Sequence, residues 1–329
     1  MAVDRRPVLL VLRALGLGDF LTGLPAFRAL GRAFPAHRFV LAAPDELEPL
    51  ADLVPEIDEV EPTPGLGPIR RDGPTDLAVN LHGRGPESHR VLLALSPRRL
   101  VAFRSPEVPE TRWAPRFDRH EHEVWRWCRL LKECGIPADP HDLALDVPDP
   151  AIEEPGYAIV HPGAASPARR WPPARYARVA QQLAREGRRV LVTGSQKERD
   201  LARRLADEAG LPDDAVLAGR LDLRGLATLV RDASLLVCGD TGVAHLATAL
   251  STPSVVLFGP TPPWHWGPPP GRRRHRAIHH GGSGDPHADR VDPRLLRIHA
   301  DEVLHEIAQL ERELAREARW AEDGAAARP

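Results

Sequence analysis

Eight residues, "CGDTGVAH" (238–245), bring together a carboxylate, a hydroxyl, a glycine and an imidazole. An apolar run, Leu235–Val237, stops at Gly239–Asp240–Thr241–Gly242, and a helical pattern starts there with His245 one turn in. The first N–H groups of a helix lack intrahelical partners and sit at the positive end of its dipole, so anions bind there. Thr241, Gly242 and Val243 can present such N–H groups to a diphosphate, and Gly242 admits a close approach. A bare Asp240 carboxylate would repel that anion, so Asp240 is expected to cap the helix or hold a hydroxyl. His245 either donates to phosphate or is a satisfied core histidine.

Three further segments carry chemistry: "HPGAASPARRW" (161–171), "TGSQKE" (193–198) and "FGPT" (258–261). Arg169 and Arg170 offer fixed positive charge and paired donors to phosphate oxygens, or are solvated loop arginines. Glu198 can accept both hydroxyls of a ribose, or close a capping box with Ser195. Near the start, "LGLGDF" (15–20) follows an apolar run and opens a helix. Asp19 there is a helix cap or a general base, and composition alone favours the cap. His82, Arg84 and His89 in "NLHGRGPESHR" are candidates for the acceptor side, since His82 ends an apolar run.

These segments need a scaffold that gathers them. Apolar runs at 8–13, 38–43, 58–62, 76–83 and 99–104 read as strands, with helices at 19–34, 86–95 and 122–135. Pro25 is an awkward point inside the first helix. A Pro/Asp-rich passage, 136–155, has the composition of a connector. Alternation restarts with strands at 157–163, 188–194, 215–219, 235–239 and 254–260. Helices are expected at 173–187, 195–210, 223–233, 241–250 and 300–320. Residues 262–293 lack helical period and read as a long loop or lid, and 321–329 as a frayed tail. The pattern predicts an α/β protein of two Rossmann-like domains with parallel sheets facing a central cleft, 1–150 and 151–310, followed by a helix end and tail, 311–329. Parallel sheets hold ligands at the carboxyl ends of their strands, where all these segments fall.

Composition narrows the partners. The 329 residues carry 44 Lys+Arg against 46 Asp+Glu, a net charge of −2, which does not favour nucleic acid. Cys128, Cys134 and Cys238 form no CxxC pair, so no zinc site or disulfide framework is expected. The apolar run near the start has strand length, and no segment approaches the ~20 apolar residues of a membrane span. A cytoplasmic location is expected, with at most peripheral membrane contact.

"LGLGDFLTGLPAFRAL", "HPGAASPARRWPPARYARVAQQL", and "GDTGVAHLATAL" followed by "FGPT" together resemble glycosyltransferase family 9, the ADP-heptose:lipopolysaccharide heptosyltransferases and relatives. The resemblance spans roughly residues 8–262. It implies a GT-B architecture, a nucleotide sugar held mainly by the second domain, and inverting transfer without an essential metal or cofactor. It also implies roles. Asp19 matches the proposed base, Arg169 a phosphate-binding lysine, Glu198 the ribose ligand, and Asp240, Thr241, Gly242 and His245 the D-[ST]-G-x-x-H motif. This chain has Arg for Lys at 169, Asn80 where Asp is common, and none of the cysteines many members carry near the end.

The expected reaction is transfer of a heptose or related sugar from ADP-heptose to an acceptor hydroxyl. The acceptor is a lipopolysaccharide-core-like or lipid-linked glycan. Asp19 takes the acceptor proton, and the residues around the diphosphate stabilise the leaving group. Two alternatives share the architecture: a nucleotide-sugar 2-epimerase, and a non-catalytic nucleotide-sugar-binding protein. An NAD-dependent dehydrogenase is disfavoured because the first turn lacks the third glycine of GxGxxG.

Overall fold

A computed structural model describes residues 6–71, 73–148 and 155–326. The chain forms two compact units, Met1–Asp146 and Val147–Pro329. The expected boundary at 150/151 lies outside the described residues, as does part of the 136–155 connector.

Unit 1 contains strands β1 (Val8–Leu12), β2 (Arg38–Ala43), β3 (Glu59–Pro62), β4 (Thr75–Asn80) and β5 (Arg99–Val101). Its helices are α1 (Leu17–Ala33), α2 (Glu48–Ala51), α3 (Glu87–Leu93) and α4 (Glu123–Glu133). The strands are parallel in the order β3-β2-β1-β4-β5. All five residues of β1 are buried, as a parallel strand covered on both faces requires. α1 runs unbroken through Pro25.

Unit 2 contains β6 (Ala158–His161), β7 (Val190–Val192), β8 (Leu235–Gly239), β9 (Ser254–Phe258) and β10 (His275–His279). Its helices are α5 (Pro173–Arg185), α6 (Arg199–Ala209), α7 (Leu223–Asp232), α8 (Gly242–Leu250), α9 (Pro263–Trp266), α10 (Pro293–Arg297) and α11 (Ala300–Ala326). The sheet is again parallel, ordered β10-β9-β8-β6-β7. Its core joins sheet residues such as Val160, Val237 and Leu257 to Trp171, Val303 and Leu310.

In each unit the strand order reverses once: between β1 and β4, and between β6 and β8. Open α/β sheets form their ligand crevice at such a switch point, beyond the carboxyl ends of the strands. Register aligns those ends, with Leu12 opposite Asn80 and His161 opposite Cys238. The α/β class with two parallel sheets is the architecture expected from the alternation.

Three expectations change. The stretch 262–293 is not a structureless loop, for it contains α9 and the edge strand β10. Only Ala277 and Ile278 are apolar in β10, too few to show a period. The strand expected at 215–219 is reduced to one bridge, Val192 to Val216. The last helix continues through 321–326 rather than fraying at 320, and 327–329 lie outside the described residues.

Candidate active site

In unit 1 the chain leaves β1 at Leu12 and turns through Arg13–Gly16 into α1. The helix N-cap is Gly16, and it makes no side-chain cap hydrogen bond. Asp19 is therefore not the cap, which corrects the reading that composition favoured. Asp19 stands in the first turn, where the dipole favours a carboxylate, and its side chain is 25% exposed. Burial pushes its carboxyl above the ordinary value, opposed by Arg13 at 3.8 Å and assisted by Glu123. A carboxylate so raised is a stronger proton acceptor at neutral pH.

Arg13 carried no expectation, yet it organises the site. It is 1% exposed. Nε donates to the Asp19 carbonyl and Nη1 to the Leu81 carbonyl. Nη2 donates to Thr22 Oγ1 at 2.9 Å and Glu123 Oε1 at 3.2 Å. Trp127 Nε1 donates to the same Glu123 oxygen at 2.6 Å, and Arg126 pairs with the other. A buried charge is tolerable only when paired and hydrogen-bonded, and Arg13 is both. An arginine closing the run "VLLVL" was the available sequence signal. Glu123, in an ordinary helix start, gave none.

His82 follows β4 and is half-buried. Burial and nearby Arg13 lower its imidazole to about 4, so it is neutral at pH 7. Its Nδ1 is buried without a partner among the described residues. Arg84 is exposed on the same loop. His89 differs from the acceptor-side expectation, because its ring is fully buried. One nitrogen meets Asn80 Nδ2 at 3.1 Å and the other the Phe103 carbonyl at 2.6 Å. It supports the loop from beneath. Asn80 also accepts from the His82 N–H at 2.9 Å, so an amide here serves as a structural brace.

In unit 2 the loop after β6 carries Arg169 in a short turn, Pro167–Arg169. Ser166 Oγ donates to the Ala288 carbonyl at 3.1 Å, and the Asp292 N–H donates to the Ala168 carbonyl at 3.1 Å. Trp171, fully buried, donates from its indole to the Ile298 carbonyl at 3.1 Å. Segment 288–298 thus fixes the loop. Arg169 Nη1 donates to the Asp240 carbonyl at 3.2 Å and lies 3.9 Å from its carboxylate. Its Nε is buried without a partner among the described residues. Arg170 instead donates to the Ala164 carbonyl at 2.8 Å.

Thr241 is the N-cap of α8 and makes no side-chain cap bond. The N–H groups of Gly242 and Val243 occupy the first turn, beside Arg169. Asp240 does not cap; it is 5% exposed. Burial raises its carboxyl, while Arg169 and a hydrogen bond from Thr261 pull the other way. His245 packs edge-on against Trp266, ring centres 5.2 Å apart.

Glu198 does close the capping box, accepting from Ser195 N–H and Oγ at 2.8 Å each. The box caps a short turn, Gln196–Glu198, ahead of α6. Burial raises the Glu198 carboxyl, but the Ser195 hydrogen bonds, His161 and Arg170 outweigh it and hold it below the ordinary value. It is a firm anion. A Cβ on Gly163 would fall 2.2 Å from Glu198 Oε1, so the bare glycine makes room for the carboxylate.

Among the described residues no group of three or more His, Cys, Asp or Glu is arranged to hold a metal ion. No helix among them is long and apolar enough to cross a membrane.

The chain is 38% identical over 149 residues to lipopolysaccharide heptosyltransferase 1 of Pseudomonas aeruginosa, covering 44% of this chain and 41% of that protein. It is 26% identical over 290 residues to lipopolysaccharide heptosyltransferase 2 of Escherichia coli, covering 78% and 83%. The solved E. coli ADP-heptose heptosyltransferase II superposes with a TM-score of 0.72 at 23% identity, covering 92% and 98%. E. coli heptosyltransferase WaaC with ADP gives 0.70 at 18% identity, covering 92% and 99%. Residues 102–289 match the model of glycosyltransferase family 9 (heptosyltransferase). The chain belongs to that family.

Proposed function

We propose that this glycosyltransferase moves a heptose from ADP-heptose to a hydroxyl of a lipopolysaccharide-core-like or lipid-linked glycan, with inversion. One observation carries the donor assignment: Arg169, with an unpartnered buried Nε, stands beside the first turn of α8 at the switch point of unit 2. A diphosphate satisfies both positive features. A relative solved with ADP supports the nucleotide. Glu198, ionised and on the neighbouring loop, accepts from the ribose hydroxyls. His245 donates to the diphosphate from one turn into α8.

In the reaction Asp19 takes the proton from the acceptor hydroxyl as its oxygen attacks the anomeric carbon. The bond to the diphosphate oxygen breaks, and negative charge grows on ADP. Arg169 and the Gly242 and Val243 N–H groups stabilise that charge in the transition state, the role a divalent cation fills elsewhere. The transfer is therefore metal-independent. His82 and Arg84 stay on the acceptor side. The reaction occurs in the cytoplasm, with at most peripheral contact to a membrane-held acceptor.

The test is incubation with ADP-β-heptose, measuring ADP release with and without a heptose-deficient core glycan. Acceptor-dependent release and an α-linked product are expected. Epimerised nucleotide sugar without ADP release, or no turnover beside tight donor binding, would replace the reading by one of its two rivals.

A further inference from the structure

Arg13 stands between two carboxylates. Asp19 Oδ1 lies 3.8 Å from its Nη2, and Glu123 Oε1 lies 3.2 Å from the same nitrogen. Nη2 carries two protons. One goes to Thr22 Oγ1 at 2.9 Å and the other to Glu123 Oε1. Asp19 therefore feels the cation's charge at a distance too long for a hydrogen bond. Nε and Nη1 are turned away, donating to the carbonyls of Asp19 and Leu81.

The guanidinium is held there from two helices. On α1, Thr22 Oγ1 donates to the Gly18 or Asp19 carbonyl, each at 3.0 Å, and so offers a lone pair to Arg13. A Cβ on Gly23 would fall 3.1 Å from Arg13 Nε, so the bare backbone gives the side chain its room. On α4, the Trp127 ring centre lies 5.1 Å from Arg13 Cζ, and the indole donates to Glu123 Oε1 at 2.6 Å. Arg126 holds the other Glu123 oxygen, and the glutamate is buried. The groups facing Asp19 are thus Arg13, Glu123 and the N–H groups of Gly16 and of Asp19 itself, with neutral His82 near Arg13. Burial raises the Asp19 carboxyl; Arg13 pulls it down and Glu123 pushes it up. Without the Glu123 charge, the pull on the Nη2 proton weakens and Arg13 turns its full charge on Asp19. A carboxylate gripped in that way is a poorer proton acceptor.

We propose that Glu123 is a positioning residue for transfer: by holding Arg13 it keeps that cation from closing on Asp19, whose carboxylate stays free to take the acceptor proton. The proposal rests on the transferase reading for its link to catalysis, but the network can be tested without turnover. Full-length protein labelled with carbon-13 at its aspartate carboxyls is titrated by NMR, and Asp19→Asn identifies the Asp19 resonance. In wild type the Asp19 midpoint should lie above 3.8. It should move to lower pH in Glu123→Gln, and to higher pH in Arg13→Gln, which takes the cation away. Turnover with saturating ADP-β-heptose and heptose-deficient core glycan is then followed against pH. In Glu123→Gln the acid limb should move to lower pH and the plateau should fall about threefold to tenfold, as a weaker base demands, with donor KM unaltered. Glu133→Gln, which removes an exposed carboxylate from the end of α4, should change neither. An unmoved midpoint in Glu123→Gln, or a wild-type midpoint at or below 3.8, overturns the network. If Glu123→Gln does not fold, the wild-type midpoint and that of Arg13→Gln decide, and an unmoved value in Arg13→Gln overturns it. A lowered midpoint with an unmoved rate profile overturns the assignment to transfer. Absence of transfer in the wild type, or full turnover in Asp19→Asn, sinks the catalytic reading instead, and the titration still decides the network.

Discussion

Arg169 reaches across the switch point of unit 2 and donates to the Asp240 carbonyl at 3.2 Å. One guanidinium thus links the loops after β6 and β8, and its Nε is buried without a partner among the described residues. Arg169→Ala should weaken ADP binding about tenfold or more, the effect of losing a charge-assisted hydrogen bond. Arg169→Lys should recover only part, since an ammonium cannot hold the carbonyl and a phosphate in one plane. Calorimetric titration with ADP reads both. Equal affinity in all three proteins would place the diphosphate elsewhere.

Asp19→Asn separates base from scaffold. The Asp19 carboxyl lies above its ordinary value of 3.8 in the folded protein. Its stabilising protonated form is therefore present at low pH and lost as pH rises through the folded value. Asn removes that ionisation, so the thermal midpoint at pH 7 should not fall. Turnover at saturating donor should drop ~10²–10⁴-fold, the usual contribution of a general base. Near wild-type turnover would remove Asp19 from the mechanism.

His82 predicts an acid-side effect on stability. Its imidazole falls from 6.5 to about 4 on folding. The unfolded chain then binds the extra proton, so this stabilising contribution is complete above 6.5 and is lost as pH falls toward 4. His82→Gln should flatten the unfolding midpoint across that window relative to wild type. Parallel pH profiles for the two proteins would show that His82 titrates normally.

Glu198→Ala should do two things at once. Loss of the capping box should cost about 1 kcal/mol of stability, and loss of the ribose acceptor should weaken ADP binding severalfold. Thermal denaturation and ADP titration report them separately. A lowered midpoint with unaltered ADP affinity would leave Glu198 a cap and nothing more.

Transfer should survive excess EDTA, because Arg169 and the first turn of α8 already supply the charge that a metal would bring. Loss on chelation with recovery on adding a divalent cation would refute this.

Much of this architecture was legible because its signals are local. Buried parallel strands such as VLLVL and LLVCG are continuous apolar runs, and α4, α5 and α7 show strong apolar stripes. The two switch points then follow from topology, which no single segment displays. What escaped was set by tertiary contact. β10 is an edge strand whose pairing with β9 compensates for its weak pattern. His89 looked available because it is polar and beside a glycine-rich loop, but Asn80 and the Phe103 carbonyl occupy its ring. Arg13 looked like the end of a strand, and only Glu123, far along the chain, shows why a charge is buried there. Asp19 lost its cap reading to Gly16, whose extended backbone begins α1 without a side chain.

The Trp171 indole bonded to the Ile298 carbonyl, with Ala288 and Asp292 holding the turn just before it, has a consequence for synthesis. The loop that presents Arg169 is braced by residues made well over a hundred positions later. A nascent chain that has emerged only through β9 has both strands of the switch point but no brace for the loop between them. The turn that carries Arg169 therefore gains these hydrogen bonds only after α10 has left the ribosome.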